Sequence, residues 1–567
     1  MDYRKEYEKW LAADCLSENE RAELLAIKDN EKEIEDRFFA PLKFGTAGLR
    51  GVLGMGLNRM NVYTVRQATQ GLADLICDMG KKTMEKGVAI CMDCRNMSDV
   101  FAKEAASVLA ANGIKVYLFE SLRPTPELSF VIRALECIAG INITASHNPK
   151  EYNGYKAYWA DGAQLPPKEA DVVLRAIEKT DIFTGAKTLD YDKAVADEKI
   201  IVMGEEVDEA FLVHVLGCAI NREAPKAVAD DFKIVYTPFH GTGHKLVPEI
   251  LSRIGLYNVI PVPEQMVIDG NFPTVKSPNP ENREGFALAI ELAKRENVDL
   301  IIGTDPDADR VGVVVRNNSG EYVTISGNQM GVLLLDYIIG AKKRAGELSD
   351  NAYAVKTIVT TEMARKVCEE NNVKIFDTFT GFKFIAAKIE EEGSDDFLMG
   401  YEESYGYLIG DFCRDKDAVT ASMMIAEMAA YYKTQNMSLY DAMQKLYEKY
   451  GAYSERTINV VMPGVSGLEN MKKLMEDLRT NPPETIADAK VSRVRDYLAG
   501  KANDGSELHL SGSDVLYFEM EDDTRFIIRP SGTEPKIKVY VLAKGDTVEA
   551  AEATAEKFAK AAEDIAK

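Results

Sequence analysis

Short apolar runs alternate with amphipathic stretches over most of this chain. Val88-Ala89-Ile90 precedes a helical pattern from Val100 to Asn112, Ile114 to Phe119 reads as a second strand, Pro126 to Glu136 as a helix and Ile138 to Ile143 as a third strand. Further on, Lys233 to Tyr236 leads through a glycine-rich turn into a helical Leu246 to Ile254, and the amphipathic Gly285 to Arg295 leads into Val298 to Gly303. This rhythm predicts βαβ units on a mostly parallel sheet, repeated in separate blocks. The last block differs. Val515 to Glu519 and Thr524 to Ile528 pair as a hairpin, Lys536 to Leu542 adds a strand, and the alanine-rich Thr547 to Lys567 is a helix, which together predict an α+β domain. Polar or turn-rich stretches at Asp161 to Pro167, Gly204 to Asp208 and Asn317 to Tyr322, and a helical end at Gly451, place limits near 205, 325 and 450. Four domains are expected, 1–205, 206–325, 326–450 and 451–567.

Length agrees, since 567 residues exceed what a single hydrophobic core supports. Sixty-eight basic against 91 acidic residues give a net charge of −23, which repels nucleic acid and anionic membranes. A phosphorylated ligand would therefore need a local cluster of cations. The amino terminus alternates charges and is not expected to be a signal peptide. The best apolar run, Val332 to Ala341, is short and is interrupted by Asp336, so no membrane span is expected. Eight scattered cysteines are not a disulfide framework. Cys91-Met92-Asp93-Cys94 has redox or zinc spacing without a second pair and reads as ordinary reduced thiols. A cytoplasmic protein is expected.

Candidate chemistry lies in loops. Thr144-Ala145-Ser146-His147-Asn148-Pro149 follows an apolar strand and brings a hydroxyl to its carboxyl end, where open sheets place ligands; the proline blocks immediate entry into a helix. Asp305-Pro306-Asp307-Ala308-Asp309-Arg310 follows another strand, and alternation in an extended loop would put three carboxylates on one side. Such an all-oxygen set favours a hard cation such as Mg²⁺, and the adjacent arginine suits a phosphate beside it. An EF-hand is excluded because its glycine and glutamate positions hold Arg310 and Arg316. Arg529-Pro530-Ser531-Gly532-Thr533-Glu534-Pro535-Lys536 is a loop whose amides and cations suit an anion. Gly400-Tyr401-Glu402-Glu403-Ser404-Tyr405-Gly406 spaces a carboxylate and a hydroxyl for neighbouring sugar hydroxyls, or forms a cap or turn. Phe44 to Gly51 is glycine-rich, ends in Arg50 and lacks the Lys-Ser/Thr ending of a nucleotide P-loop. Lys156 and Lys416 each read singly as solvated surface charges; together with the arginines they are the cations a phosphosugar would need.

These four loops, in this order and one per block, resemble those of the α-D-phosphohexomutase family, and the resemblance spans essentially the whole chain. It implies a four-domain, heart-shaped architecture: three related mixed α/β domains plus a carboxyl-terminal α+β domain. It implies that Ser146 is the phosphoserine and that Asp305, Asp307 and Asp309 hold Mg²⁺ with an oxygen of the Ser146 phosphate. It also implies that Glu402 and Ser404 bind sugar hydroxyls, with the Thr380-Gly381-Phe382-Lys383 loop helping to read sugar orientation. Arg529, Ser531, Gly532 and Thr533 would hold the phosphate that stays in place. Arg50, His147, Lys156, Arg310 and Lys416 would line the transfer site, with Lys156 first and His147 second as the proton-transfer group. The stretch Gly45 to Arg50, and Asn153 to Lys156, resemble the subgroup of bacterial α-phosphoglucomutases, phosphopentomutases and glucose-1,6-bisphosphate synthases. The metal loop departs from many relatives in lacking a glycine between its carboxylates. The implied activity interconverts α-D-glucose 1-phosphate and D-glucose 6-phosphate through glucose 1,6-bisphosphate, which also serves as activator. Phosphopentomutase and phosphomannomutase are the neighbouring alternatives; a Mg²⁺-dependent sugar phosphatase and a non-catalytic sugar-phosphate binder are more remote. Oligomeric state is left open between monomer and dimer.

Overall fold

The computed structural model describes residues 2–45, 48–462, 467–531 and 536–565, which form two compact units. The first comprises Met1–Ile325 and Tyr405–Asn436, the second Ser326–Ser404 and Met437–Lys567.

In the first unit a six-stranded sheet runs in the order Leu49–Val52, Tyr152–Trp159, Ala139–Ile143, Val88–Met92, Val116–Phe119, Ile200–Met203. Its last four strands are parallel, and Val88–Met92 and Ala139–Ile143 are buried at every position, as strands covered on both faces must be. The helices Ser98–Ala111 and Thr125–Ala134 fall where periodicity predicts them. The strands Tyr152–Trp159 and Leu49–Val52 instead run antiparallel to their neighbours. After Pro149, therefore, the chain returns as a strand. A five-stranded sheet follows, ordered Tyr322–Ile325, Val311–Arg316, Leu300–Thr304, Ile234–Thr237, Val259–Pro261. The amphipathic segment before Leu300 opens as a 3₁₀ turn, Arg283–Phe286, and continues as the helix Ala287–Glu296.

Three amino-terminal helices, Tyr3–Leu11, Glu18–Ala26 and Glu31–Phe38, lie outside the predicted rhythm. Asp2, Ser17 and Asn30 cap them, with a full capping box between Ser17 and Glu20. Trp10 is fully buried and meets Phe38, Tyr63 and Phe183 edge-on, so the collar adds its own aromatic core.

In the second unit, Lys374–Thr378, Tyr353–Thr357 and Phe397–Glu402 pair in parallel and are accompanied by the helices Gly327–Ala345, Met363–Glu370 and Phe382–Glu392. The apolar run Val332 to Ala341 belongs to the first of these helices and packs into the core; no helix among the described residues is long and apolar enough to cross a membrane. The carboxyl-terminal sheet is antiparallel, ordered Ala452–Val461, Lys536–Gly545, Arg525–Pro530, Leu516–Met520, Ala489–Asp496, Thr485–Ile486. Phe518, Phe526, Ile528, Val539 and Val541 from it pack with Met475 of the helix Gly467–Thr480 and Phe558 of the helix Val548–Ile565. Each such buried side chain contributes roughly 1.5–3 kcal/mol. Three α/β blocks and one α+β block are the fold class that the resemblance implied.

Candidate active site

Strand register assembles the first half of the site. Asn142 pairs with Lys156 across the antiparallel strands that flank the serine loop, and Arg50 pairs with Gly154 on the next strand. The eleven residues from Ser146 to Lys156 are thus an outward loop and a return, ending beside the strand that delivers the serine. Gly48 makes this edge pairing possible: its φ is +90°, and a Cβ there would lie 1.8 Å from the Tyr155 carbonyl oxygen.

Ser146 is buried, with φ of +53° in the left-handed region that non-glycine residues avoid. Its amide donates to Thr144 Oγ1 (2.8 Å), whose hydroxyl donates to Asp93 Oδ2 (2.6 Å). Its Oγ lies 3.1 Å from His147 Nδ1 and donates to Asp305 Oδ2 at 3.0 Å. The serine loop and the carboxylate loop therefore form one site.

The carboxylates converge through a tight turn rather than through the extended alternation read from the sequence. The Ala308 amide donates to the Asp305 carbonyl (3.0 Å) and Ala308 takes φ of +50°, the conformation for which a glycine would be the unstrained choice. Asp305 Oδ1 accepts the Asp309 and Arg310 amides. Thr125, at the start of the helix Thr125–Ala134, donates its hydroxyl to Asp307 Oδ2 (2.9 Å) and its amide to the Asp307 carbonyl (2.8 Å).

Lys156 and Lys416 are buried, against the expectation of solvated charges. Lys156 Nζ is 2.8 Å from Asp307 Oδ2 and 3.6 Å from Asp309 Oδ2. Lys416 Nζ is 3.1 Å from Asp309 Oδ2 and 2.9 Å from Asp415 Oδ1. Gly406 makes room for it, since a Cβ there would lie 2.1 Å from Lys416 Cδ. Arg310 donates to Glu281 Oε1 (2.6 Å) and exposed Arg50 to Asn148 Oδ1 (3.2 Å).

Electrostatics follow from this packing. Burial and the two neighbouring carboxylates push Asp305 well above the ordinary carboxylate range. Burial opposes ionisation of Asp307 too, but the Lys156 ammonium holds it below that range. Burial likewise opposes the charge on Lys156, and Asp307 and Asp309 outweigh it, so this lysine stays protonated. Burial and the cations Arg310, Arg50 and Lys156 lower the His147 imidazole well below 6.5. A depressed histidine contributes stability above the unfolded value of about 6.5 and loses it as the pH falls below, because the unfolded chain takes the proton first. Ring NMR, assigned by the His147→Gln difference, should show His147 uncharged from pH about 8 to about 6. A midpoint at or above about 6.5 would contradict this.

Asp305, Asp307 and Asp309 each offer an oxygen within 4.8 Å of the others, and Asp307 Oδ1 and Asp309 Oδ1 are buried without a hydrogen-bond partner. Unsatisfied buried carboxylate oxygens are what a hard cation would satisfy, so this donor set fits Mg²⁺.

The second unit gathers the other expected residues. Glu402 ends the strand Phe397–Glu402, and its Oε1 accepts the Gly381 amide at 2.8 Å, joining the sugar loop to the Thr380–Lys383 loop. Gly381, with φ of +114°, precedes the helix Phe382–Glu392. Burial, with Arg529 nearby, lowers the Lys383 ammonium. Arg529 lies in the strand Arg525–Pro530, and the Ser531 amide donates to the Lys536 carbonyl (2.8 Å). Ser404 is half-buried on the turn after Glu402. Gly532 and Thr533 lie outside the described residues.

The sequence reading passed over Asp93, Arg95, Thr125 and Asp415. Asp93 and Arg95 sit where the strand Val88–Met92 ends, beside the strand that delivers Ser146. An acid and an arginine two apart at a strand end was the available signal, obscured by the cysteine spacing around it.

Four family models match the chain in order: phosphoglucomutase/phosphomannomutase alpha/beta/alpha domain I over residues 41–182, domain II over 209–320, domain III over 326–450, and the C-terminal domain over 458–561. The phosphoglucomutase of Staphylococcus haemolyticus (strain JCSC1435) is 36% identical over 522 residues, covering 91% of this chain and 92% of its own. That of Staphylococcus aureus (strain N315) is 36% identical over 527 residues with the same coverages. Among solved structures, the open form of the Paramecium phosphoprotein pp63/parafusin superposes with a TM-score of 0.70 at 18% identity, over 93% of this chain and 95% of that one. A phosphoglucomutase/phosphomannomutase family protein from Burkholderia thailandensis gives 0.64 at 17% identity, over 91% and 96%. These two likenesses concern the fold.

Proposed function

The chain belongs to the phosphoglucomutase/phosphomannomutase family, and from that premise we propose that it interconverts α-D-glucose 1-phosphate and D-glucose 6-phosphate by way of a phosphoserine at Ser146. The observation that carries this reading is the 3.0 Å hydrogen bond from Ser146 Oγ to Asp305, inside a cluster that also holds His147, Lys156 and Lys416. A binding protein needs neither a buried nucleophile nor a carboxylate triad beside it.

Each side chain then has a part. With Ser146 unmodified, His147 is uncharged and Lys156 is protonated, the pair of states needed to phosphorylate the serine. Ser146 Oγ forms its bond to phosphorus as the bond from phosphorus to the sugar oxygen breaks. His147 Nδ1 accepts the hydroxyl proton and the Lys156 ammonium donates one to the departing sugar oxygen, so charge does not accumulate on either oxygen. Run backwards at the other sugar oxygen, the same step returns the phosphoryl group to the substrate, with Lys156 as base and Ser146 Oγ regaining a proton from His147. In turnover this return step comes first: the phosphoserine phosphorylates the free hydroxyl of the substrate, giving glucose 1,6-bisphosphate, which turns and passes its other phosphate to Ser146 by the take-up step above. Added from outside, the bisphosphate would also load the serine. Arg50, Arg310 and Lys416 supply positive charge to the phosphoryl oxygens, and positioning plus charge stabilisation are the main requirements of such a transfer. Asp305, Asp307 and Asp309 would hold Mg²⁺, which when bound neutralises charge on the transferring group.

We assign Glu402 and Ser404 to the sugar hydroxyls, Thr380 and Gly381 to sugar orientation, and Arg529, Ser531, Gly532 and Thr533 to the resting phosphate. The domains 1–205, 206–325, 326–450 and 451–567 would each carry one of the four loops. Rates on glucose, ribose and mannose 1-phosphates, with Mg²⁺ and catalytic glucose 1,6-bisphosphate, test the reading. The glucose ester should lead in kcat/KM by at least about tenfold. A faster ribose or mannose ester reassigns the substrate, and release of inorganic phosphate at the turnover rate replaces the mutase with a hydrolase.

A further inference from the structure

The serine loop has its own internal mount, built from residues outside the groups just assigned. Between the strands Ala139–Ile143 and Tyr152–Trp159 the backbone leaves sheet pairing, and its carbonyls need other donors. One side chain supplies donors to four carbonyls of this segment. The Arg95 guanidinium donates through Nη2 to the carbonyls of Ser146 (2.6 Å) and Asn148 (2.5 Å), and through Nη1 to those of Pro149 and Tyr152 (both 2.9 Å). The rigid fork of arginine can serve four acceptors at once; the point charge of lysine cannot.

Arg95 is itself held by Asp93 and by the Phe272 ring. Its side chain and that of Asp93 are completely buried, and its Nε lies 3.3 Å from Asp93 Oδ2. Asp93 also accepts the Arg95 amide and the Ser98 hydroxyl on Oδ1, both at 2.9 Å, and through Thr144 it holds the Ser146 amide. The Phe272 ring faces the guanidinium, with 5.1 Å from Cζ to the ring centroid. Ser146 is thus gripped at its amide by way of Asp93 and at its carbonyl by Arg95, which accounts for a serine holding φ of +53°. Neither residue is within the hydrogen-bonding set of Ser146 Oγ, which is His147 and Asp305.

We propose that Arg95 is a positioning residue for phosphoryl transfer: with Asp93 it fixes the direction of Ser146 Oγ towards the carboxylate loop and the incoming phosphate, while taking no part in substrate binding. The inference rests on the phosphoserine reading above. A displacement of the nucleophile by about 1 Å is enough to slow a transfer by about 100-fold, whereas the groups assigned to the sugar and the resting phosphate belong to other loops.

The test uses full-length protein with Mg²⁺ bound and compares wild type with Arg95→Lys and Thr144→Val. Three quantities are followed: thermal unfolding, the rate at which glucose 1,6-bisphosphate phosphorylates Ser146 (by intact-protein mass), and kcat and KM for glucose 1-phosphate. Arg95→Lys should reduce the phosphorylation rate and kcat together by about 100-fold, with KM within about twofold of wild type. Thr144→Val, which removes only the hydroxyl between Asp93 and the Ser146 amide, should lower the same two rates by about tenfold and decides the matter if Arg95→Lys fails to fold. Rates within about threefold of wild type in the folded variants, or a loss that merely follows the unfolded fraction, overturn the inference. A wild type that takes up the phosphoryl group but turns over another sugar overturns the substrate assignment alone. One that does not take it up removes both the mutase reading and this one.

Discussion

Ser146→Ala should abolish turnover, lowering kcat by on the order of 10⁵-fold or more, because the variant has no atom to carry the phosphoryl group between the two transfers. The fold should survive. Ser146 Oγ has two partners, and its loss leaves Asp305 Oδ2 without one acceptor contact, a cost of about 1–3 kcal/mol against a stability supported by several separate cores. Circular dichroism and the melting profile should therefore match wild type closely, and intact-protein mass should show no phosphoryl uptake from glucose 1,6-bisphosphate. Retention of even a hundredth of the wild-type rate by a folded Ser146→Ala protein would refute the phosphoserine mechanism. The comparison discriminates well because this serine makes little contribution to packing and its proposed chemistry is indispensable.

Removing divalent cations should have the second largest effect, and it can be read in two independent ways. Chelation should suppress activity by at least about 1,000-fold, and Mg²⁺ should restore it. It should also lower the melting temperature of the first unit, because a ligand bound only by the folded state stabilises it by about 2.7 kcal/mol at one hundred times its Kd. The physical basis is the pair of buried carboxylate oxygens, Asp307 Oδ1 and Asp309 Oδ1, that accept no hydrogen bond. Asp307→Asn should lose both the activity and the stabilisation by added Mg²⁺. If Mg²⁺ leaves the melting curve of the wild type unchanged at every concentration, the triad is not its site. The lysines shape the outcome as well. Lys156 and Lys416 already neutralise part of the carboxylate charge, so the apo protein should be folded, though less stable.

What could be read from the sequence divides along physical lines. The α/β rhythm was legible because buried parallel strands are continuous apolar runs, and Val88–Met92, Ala139–Ile143 and Leu300–Thr304 are buried at every position. The amino-terminal helices were missed because their apolar positions are few and widely spaced among charges, although Ser17 and Glu20 form a capping box that could have marked one start. The acidic loop stands out in the sequence, but extended alternation does not explain how its carboxylates meet. A turn with Ala308 in the left-handed region, rather than extended alternation, brings its carboxylates together. The serine and its loop were evident; the Asp93–Arg95 mount, 51 residues upstream of Ser146 at Arg95, was not.

By itself, then, the sequence determined which loops are candidates for chemistry, because hydroxyl, carboxylate and guanidinium groups placed just after apolar strands are local features that composition and order display. It also determined the fold class, through the period of its hydrophobic positions. Only the tertiary structure decided which of those groups act on one another. Strand register brought Lys156 back opposite Asn142, packing within the first unit set Ser146 against Asp305 across 159 positions of chain, and burial turned two apparently ordinary lysines into partners of the acidic loop. Long-range pairing and desolvation depend on neighbours distant in the chain. No local pattern reports them, and they set the charge on His147 and Lys156 on which the proposed chemistry depends.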